Sequence, residues 1–225
     1  MECKNCGQPG EGKFCSACGE VLKAERINLP FMLHEVINTF TYLERGFLYT
    51  FKQLAYHPGI MQRNYLSGLR LKNQKPFPMF VISGTICALA LYLIYTPSFD
   101  STDRNFYRNY YVLVQTFMLP FYALTTWLLF KSSKLYYAEI LVLIVYMLAF
   151  MSLLIIPINI VRFFFNNGVL TLVEAVVLAC YNTWTFLKFF HDKPIWLIIV
   201  KSVFTILINF ILFQVVANLV ISWLL

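Results

Sequence analysis

The sequence predicts an all-α polytopic membrane protein, with about five transmembrane helices behind a small cysteine-rich head and interfacial amphipathic helices. Three observations predict it. Hydrophobic residues make up 59% of the 225-residue chain and charged residues only 13%, about half the quarter usual in soluble proteins. The apolar residues gather into uncharged runs long enough for a bilayer core, which needs about 20 residues of helix. Four cysteines stand in two close pairs at the N-terminus. With 22 Phe and 14 Tyr against so few charges, a water-facing surface could not be covered. A secreted domain, a disordered chain and an ordinary cytosolic enzyme are thereby excluded.

The chain divides into a head over residues 1–20, a juxtamembrane segment over 21–76 and a membrane domain over 77–225. Up to Pro76 it carries ten Lys/Arg and six Glu and reads as soluble-like. The head contains Cys3-Lys-Asn-Cys6-Gly7 and Cys15-Ser-Ala-Cys18-Gly19. Two Cys-x-x-Cys pairs supply four thiolates, which suit the tetrahedral preference of zinc. The glycine after each pair allows a turn that a side chain would resist. So short a segment has almost no core, so metal binding would also be its folding energy. Structural Zn2+ held by Cys3, Cys6, Cys15 and Cys18 is the favoured reading. Two disulfides, a redox dithiol and an iron–sulfur cluster are the alternatives. Disulfides need an oxidising compartment, and a redox pair would need a βα unit, which the pattern lacks.

Four sulfur ligands close a zinc site to substrate, so the head is expected to bind a partner or cap the fold rather than catalyse. It carries Lys4 and Lys13 against Glu2, Glu11 and Glu20. That is no basic patch, and nucleic acid is an unlikely partner.

Between Gly46 and Phe99 there is no acidic residue, while Lys52, Arg63, Arg70, Lys72 and Lys75 alternate with aromatic and aliphatic side chains. This pattern predicts interfacial helices lying on anionic lipid headgroups, with those five cations as membrane-surface contacts. His57-Pro58-Gly59 should end one helix near Tyr56, since the residue before proline is disfavoured in a helix.

Five spans follow, at about 77–95, 111–130, 140–161, 169–187 and 202–224. Trp196 and Trp223 lie near the two ends of the last, where amphipathic rings prefer the interface. The first 30 residues lack an apolar core region, so the first span is expected to act as an uncleaved anchor. Lys/Arg counting places fifteen cations on the side of the N-terminus and three opposite. The N-terminus is therefore expected inside and the C-terminus outside. The short connectors should make sequential spans antiparallel neighbours.

Within the spans, Glu174 is the sole acidic residue, roughly 8 Å below the outer end of the fourth. Arg162 ends the third span across the Asn166-Asn167-Gly168 turn, and the two are expected to pair and staple that hairpin. A proton or cation site at Glu174 is the sharper alternative. Asn209 shares a face of the last span with Ser202 and Thr205; such groups usually bond to neighbouring helices, or else line a water path. Cys87 and Cys180 read as buried apolar thiols. His34, His57 and His191 have no partner at ligand or triad spacing, so no enzyme activity is expected.

Gly46-Phe47, Thr50, Leu54, Pro58-Gly59, Arg63, Tyr65-Leu66, Gly68, Arg70 and Pro76-Phe77, behind a Cys-x-x-Cys-Gly ribbon, resemble an uncharacterised bacterial family frequent in Bacteroidota. The resemblance covers about the first 80 residues. It implies an N-terminal zinc ribbon, a juxtamembrane motif, several membrane helices and a bacterial inner membrane; it implies no catalytic activity.

The function expected is a membrane-anchored adaptor or assembly protein engaging a cytosolic protein partner. The runner-up is a small channel or membrane-permeabilising effector, acting as a homo-oligomer because five helices enclose little room for a pore.

Overall fold

The computed structural model describes residues 2–10, 12–19, 21–22, 46–95, 106, 108–165 and 168–224. The charged stretch 23–45, most of the outer loop expected over Thr96–Tyr110 and the Asn166-Asn167 turn lie outside the described residues. Among the described residues the elements are α1 (Phe47–Tyr56), α2 (Ile60–Leu66), α3 (Pro76–Tyr95), α4 (Tyr111–Leu129), α5 (Tyr137–Phe165), α6 (Gly168–Phe189) and α7 (Ile195–Leu224). A 3-10 turn, Lys131–Ser133, follows α4. Five of these helices, α3 to α7, are long and apolar enough to cross a membrane, so the predicted fold class holds.

The ends of α3 and α4 lie within one residue of the predicted spans, whereas α5 and α7 run longer. The sequence reading began the third span after Glu139 and the fifth after Lys201, treating each charge as a boundary. In the structure both charges sit inside helices. The Glu139 carboxylate accepts the Tyr136 backbone N–H at 2.8 Å, so it satisfies a donor that the first turn of α5 would otherwise leave orphaned. α7 starts directly after Pro194, whose carbonyl accepts the Ile198 N–H at 3.2 Å. Lys201 is accommodated by reaching sideways, and its Nζ donates to the Leu129 carbonyl at 2.7 Å.

The central element is α5. Ala138 through Met147 are buried without a break, and 67% of its most apolar stretch is enclosed, against 17% for α7. Its most extensive partner is α3, which precedes it by two helices; α4, α6 and the hairpin α1–α2 also lie against it. α7 packs on α4 and α6. The three pairs joined by short connectors are neighbours, as expected, while α3 and α4, joined by the long link, touch only slightly.

In lipid, apolar burial does not itself drive helices together, so close packing and interhelical hydrogen bonds select the partners. Tyr95 Oη of α3 donates to Asn159 Oδ1 of α5 at 2.6 Å in a fully enclosed setting. Thr125 Oγ1 of α4 donates to Asn209 Oδ1 of α7 at 2.6 Å. Tyr95→Phe removes one such bond and should lower stability by about 1 kcal/mol. Denaturant unfolding of the purified protein in a neutral detergent checks it.

Among the described residues, one end of the bundle collects most of the basic side chains. Ser67, just past α2, accepts a hydrogen bond from Lys4 Nζ of the head at 2.8 Å. Arg63 of α2 reaches the α6–α7 connector and pairs with Asp192 at 3.1 Å. From that connector, Lys193 Nζ donates to the Ser132 carbonyl in the α4–α5 connector at 3.1 Å. The head, the hairpin and both short lysine-bearing connectors thus share one end.

Candidate metal centre and inner-end platform

Each Cys-x-x-Cys pair folds as the same local turn. The N–H of Gly7 donates to the Cys3 carbonyl at 2.8 Å, and that of Gly19 to the Cys15 carbonyl at 2.8 Å. The glycines sit at φ +73 and +75, the left-handed region that costs any side chain. Antiparallel bridges Glu2 with Pro9 and Phe14 with Val21 close the two halves. Beneath them Cys3, Cys15 and Leu22 form a small buried cluster. Gly10 lies against the Leu22 side chain of that cluster.

The halves bring four sulfurs within 4.8 Å of one another. Cys3 Sγ lies 3.5 Å from Cys18 Sγ, and Cys6 Sγ lies 3.6 Å from Cys15 Sγ. A tetrahedral ion with metal–sulfur bonds of about 2.3 Å requires sulfurs roughly 3.8 Å apart. The donor set and its spacing therefore fit a metal ion, and no disulfide ties up any of the four cysteines.

The Cys6 thiol is pushed up to about 12. The Gln8 backbone hydrogen bond, the strongest single influence, lowers it, but desolvation and the sulfurs of Cys18, Cys15 and Cys3 together outweigh it. Without a cation Cys6 therefore holds its proton more tightly than an ordinary cysteine. A metal must displace it, so its affinity should rise with pH and fall on acidification. Chelator competition on the full chain at about pH 6 and about pH 8 reads the sign; equal affinity at both would contradict it.

The basic segment forms a platform docked on the bundle. α1 buries Thr50 and Leu54, and α2 buries Met61, Gln62 and Tyr65. The Phe51 ring meets Phe150 at 5.2 Å, and the Tyr65 ring meets Tyr146 edge-on at 5.5 Å. Hydrogen bonds complete the seal. Gln74 N–H donates to Thr50 Oγ1 at 2.7 Å, Tyr146 Oη to the Gln74 carbonyl at 2.6 Å, and Tyr181 Oη to the Leu54 carbonyl at 3.3 Å. The opposite face of α1 leaves Leu48, Tyr49, Lys52 and Tyr56 exposed, an amphipathic arrangement suited to a headgroup surface.

The five cations expected to meet lipid have different surroundings. Lys52 and Lys72 are exposed and Lys75 is half-buried. Arg63 spans to His191 and Asp192. Arg70 Nε donates to the Tyr65 carbonyl at 3.2 Å, with its guanidinium 5.6 Å from the centre of the Tyr65 ring.

At the other end of the bundle, Arg162 of α5 pairs with Glu174 of α6, both largely buried. Asn209 is bonded to Thr125 as described. Ser202 and Thr205 are buried and return their hydroxyls to carbonyls of their own helix, at 2.7 Å each. Cys87 is buried and Cys180 exposed.

Sequence reasoning missed the seal made by Thr50, Gln74, Tyr146 and Tyr181, and the Tyr95–Asn159 bond. An asparagine in the middle of an apolar run was a usable signal for the latter; nothing in the order of residues pairs Tyr181 with Leu54.

Residues 44–87 match the model of a family described as a protein of unknown function, DUF3667. The match takes in α1, α2 and the first half of α3. Neither a curated protein nor a solved structure matches the chain.

Proposed function

We propose that the chain is a membrane-anchored adaptor or assembly protein of the bacterial inner membrane, with a cytoplasmic head built around a structural Zn2+ and its C-terminus outside. The observation that carries this reading is the gathering of head, basic hairpin and both lysine-bearing connectors at one end of the bundle. That asymmetry is the one expected of a cytoplasmic face, and on this reading the thiols lie in a reducing compartment. Four sulfur ligands leave no open coordination position, which supports a binding role over a catalytic one. The head also presents Phe14, 63% exposed, beside its metal turn, a natural contact for a cytosolic protein partner. A pore through a single chain is less well supported, because α5 fills the bundle axis with side chains.

A photo-crosslinking residue at Phe14, expressed in cells in the full chain, tests the reading. It should trap one discrete cytosolic protein, and Cys15→Ser should abolish the adduct. An adduct indifferent to Cys15→Ser, or none accompanied by collapse of the membrane potential on expression, would favour the permeabilising alternative.

A further inference from the structure

A second feature of the basic end lies away from the family-matched segment. The connector after α4 and the start of α7 form a shallow groove lined by Phe130, Ser132, Ser133, Lys193, Leu197 and Lys201. Two ammonium groups converge there from 61 and 72 residues away in sequence: Lys193 Nζ on the Ser132 carbonyl and Lys201 Nζ on the Leu129 carbonyl. Each bond uses one of three N–H donors. Neither lysine meets a carboxylate among the described residues; the nearest in sequence, Asp192, is engaged by Arg63 and His191. Two partly enclosed cations with spare donors and no counter-charge call for an anion with several acceptor oxygens.

The position of the groove decides which anion. It lies where α4 ends and α7 begins, at the polar margin of the spans. Trp196 stands exposed beside it, as an interfacial ring would. On its membrane side the flanks of α4 and α7 are apolar and open, with Leu124, Leu128, Val200 and Phe204 exposed. A phosphate that seated on the lysines while attached to acyl chains would find those chains a continuous apolar path. We infer that the groove is a binding site for the headgroup of an anionic phospholipid, with Lys193 and Lys201 holding the phosphodiester and the exposed flanks of α4 and α7 receiving the acyl chains.

Native mass spectrometry of the full chain in a neutral detergent, titrated with phosphatidylglycerol or phosphatidylcholine, tests the site. The wild type should retain phosphatidylglycerol in preference. Lys193→Gln with Lys201→Gln should weaken that retention about thirtyfold, the product of two lysines acting at an anionic headgroup. The double arginine variant, Lys193→Arg with Lys201→Arg, should keep it. Equal retention of the two lipids by the wild type would overturn the proposal, even if the glutamine variant failed to fold. Undiminished binding by the folded glutamine variant would overturn it as well, reducing the lysines to caps on the end of α4. Displacement of the lipid by millimolar inorganic phosphate would assign the groove to a free anion instead.

Discussion

Cys15→Ser should release the metal from the head and unfold it, leaving the five-helix bundle intact. Cys15 is 2% exposed and supplies both a sulfur and, through its carbonyl, the acceptor for the Gly19 turn. The apolar cluster of the head amounts to Cys3, Cys15 and Leu22. Burial on that scale cannot offset the conformational entropy of some twenty ordered residues, each costing about 1–2 kcal/mol. A structural zinc in a small peptide contributes about 10–16 kcal/mol of net binding free energy, which makes a bound metal the main support of the head's fold. Loss of one ligand should therefore take the metal content from one ion per chain to a small fraction, measured by elemental analysis. Limited proteolysis should then cut the head while sparing the spans. A head that keeps its protease resistance without metal would sink the four-thiolate reading.

Gly59→Val should undock the platform, at a cost of about 3 kcal/mol or more. Gly59 holds φ +77, and a Cβ there would stand 2.4 Å from the Thr185 carbonyl oxygen and 2.7 Å from the Phe189 nitrogen. Both are backbone atoms of α6, so no side chain can swing aside to make room. The hairpin must lift away, exposing Leu54, Met61 and Tyr65 and leaving Tyr181 without its acceptor. Thermal unfolding in detergent and new proteolysis between α1 and α2 would report it. Gly84→Ala is the matched control: its Cβ would meet only Val112 Cγ1, at the ordinary distance of 3.5 Å. An unchanged midpoint for Gly59→Val would show that the platform is not seated as described.

The segment that matches the family model takes on a physical meaning in this light. Thr50 accepts the Gln74 amide, Leu54 offers its carbonyl to Tyr181, Gly59 lets α6 approach, Arg63 grips the α6–α7 connector, and Tyr65 meets Tyr146 edge-on while Arg70 braces it. Gly46, at φ +135, brings its backbone close to Lys72 and Gln74. Leu54, Gly59, Arg63 and Tyr65 join the hairpin to the rest of the molecule, while Gly46, Thr50 and Arg70 hold the segment to itself. The segment thus reads as a clasp that seats a basic, aromatic surface on the inner end of a bundle. Its charge pattern had suggested only a lipid-facing surface. Charge along a chain reveals its sign and spacing, but whether an arginine faces lipid or a carbonyl depends on what lies opposite it.

The spans and the helix break at His57-Pro58-Gly59 were legible in the residue order for a local reason. An uncharged run of bilayer length has nowhere else to go, and proline forbids the helix that would cross it. The proximity of four thiols was equally legible, since each Cys-x-x-Cys closes on itself within four residues. Helix ends at charged residues were misjudged because Glu139 finds a donor one turn away in the Tyr136 N–H, and Lys201 finds an acceptor on a neighbouring helix in the Leu129 carbonyl. Residue order paired the spans joined by short connectors but left undecided which others would touch, because α3, α5 and α7 are apolar on nearly every face and have no stripe to point inward. The choice of α5 as the axis, of α3 as its main partner and of α6 as the seat for Gly59 came from shape. Close packing and a few buried hydrogen bonds distinguish one apolar face from another only when both are in place.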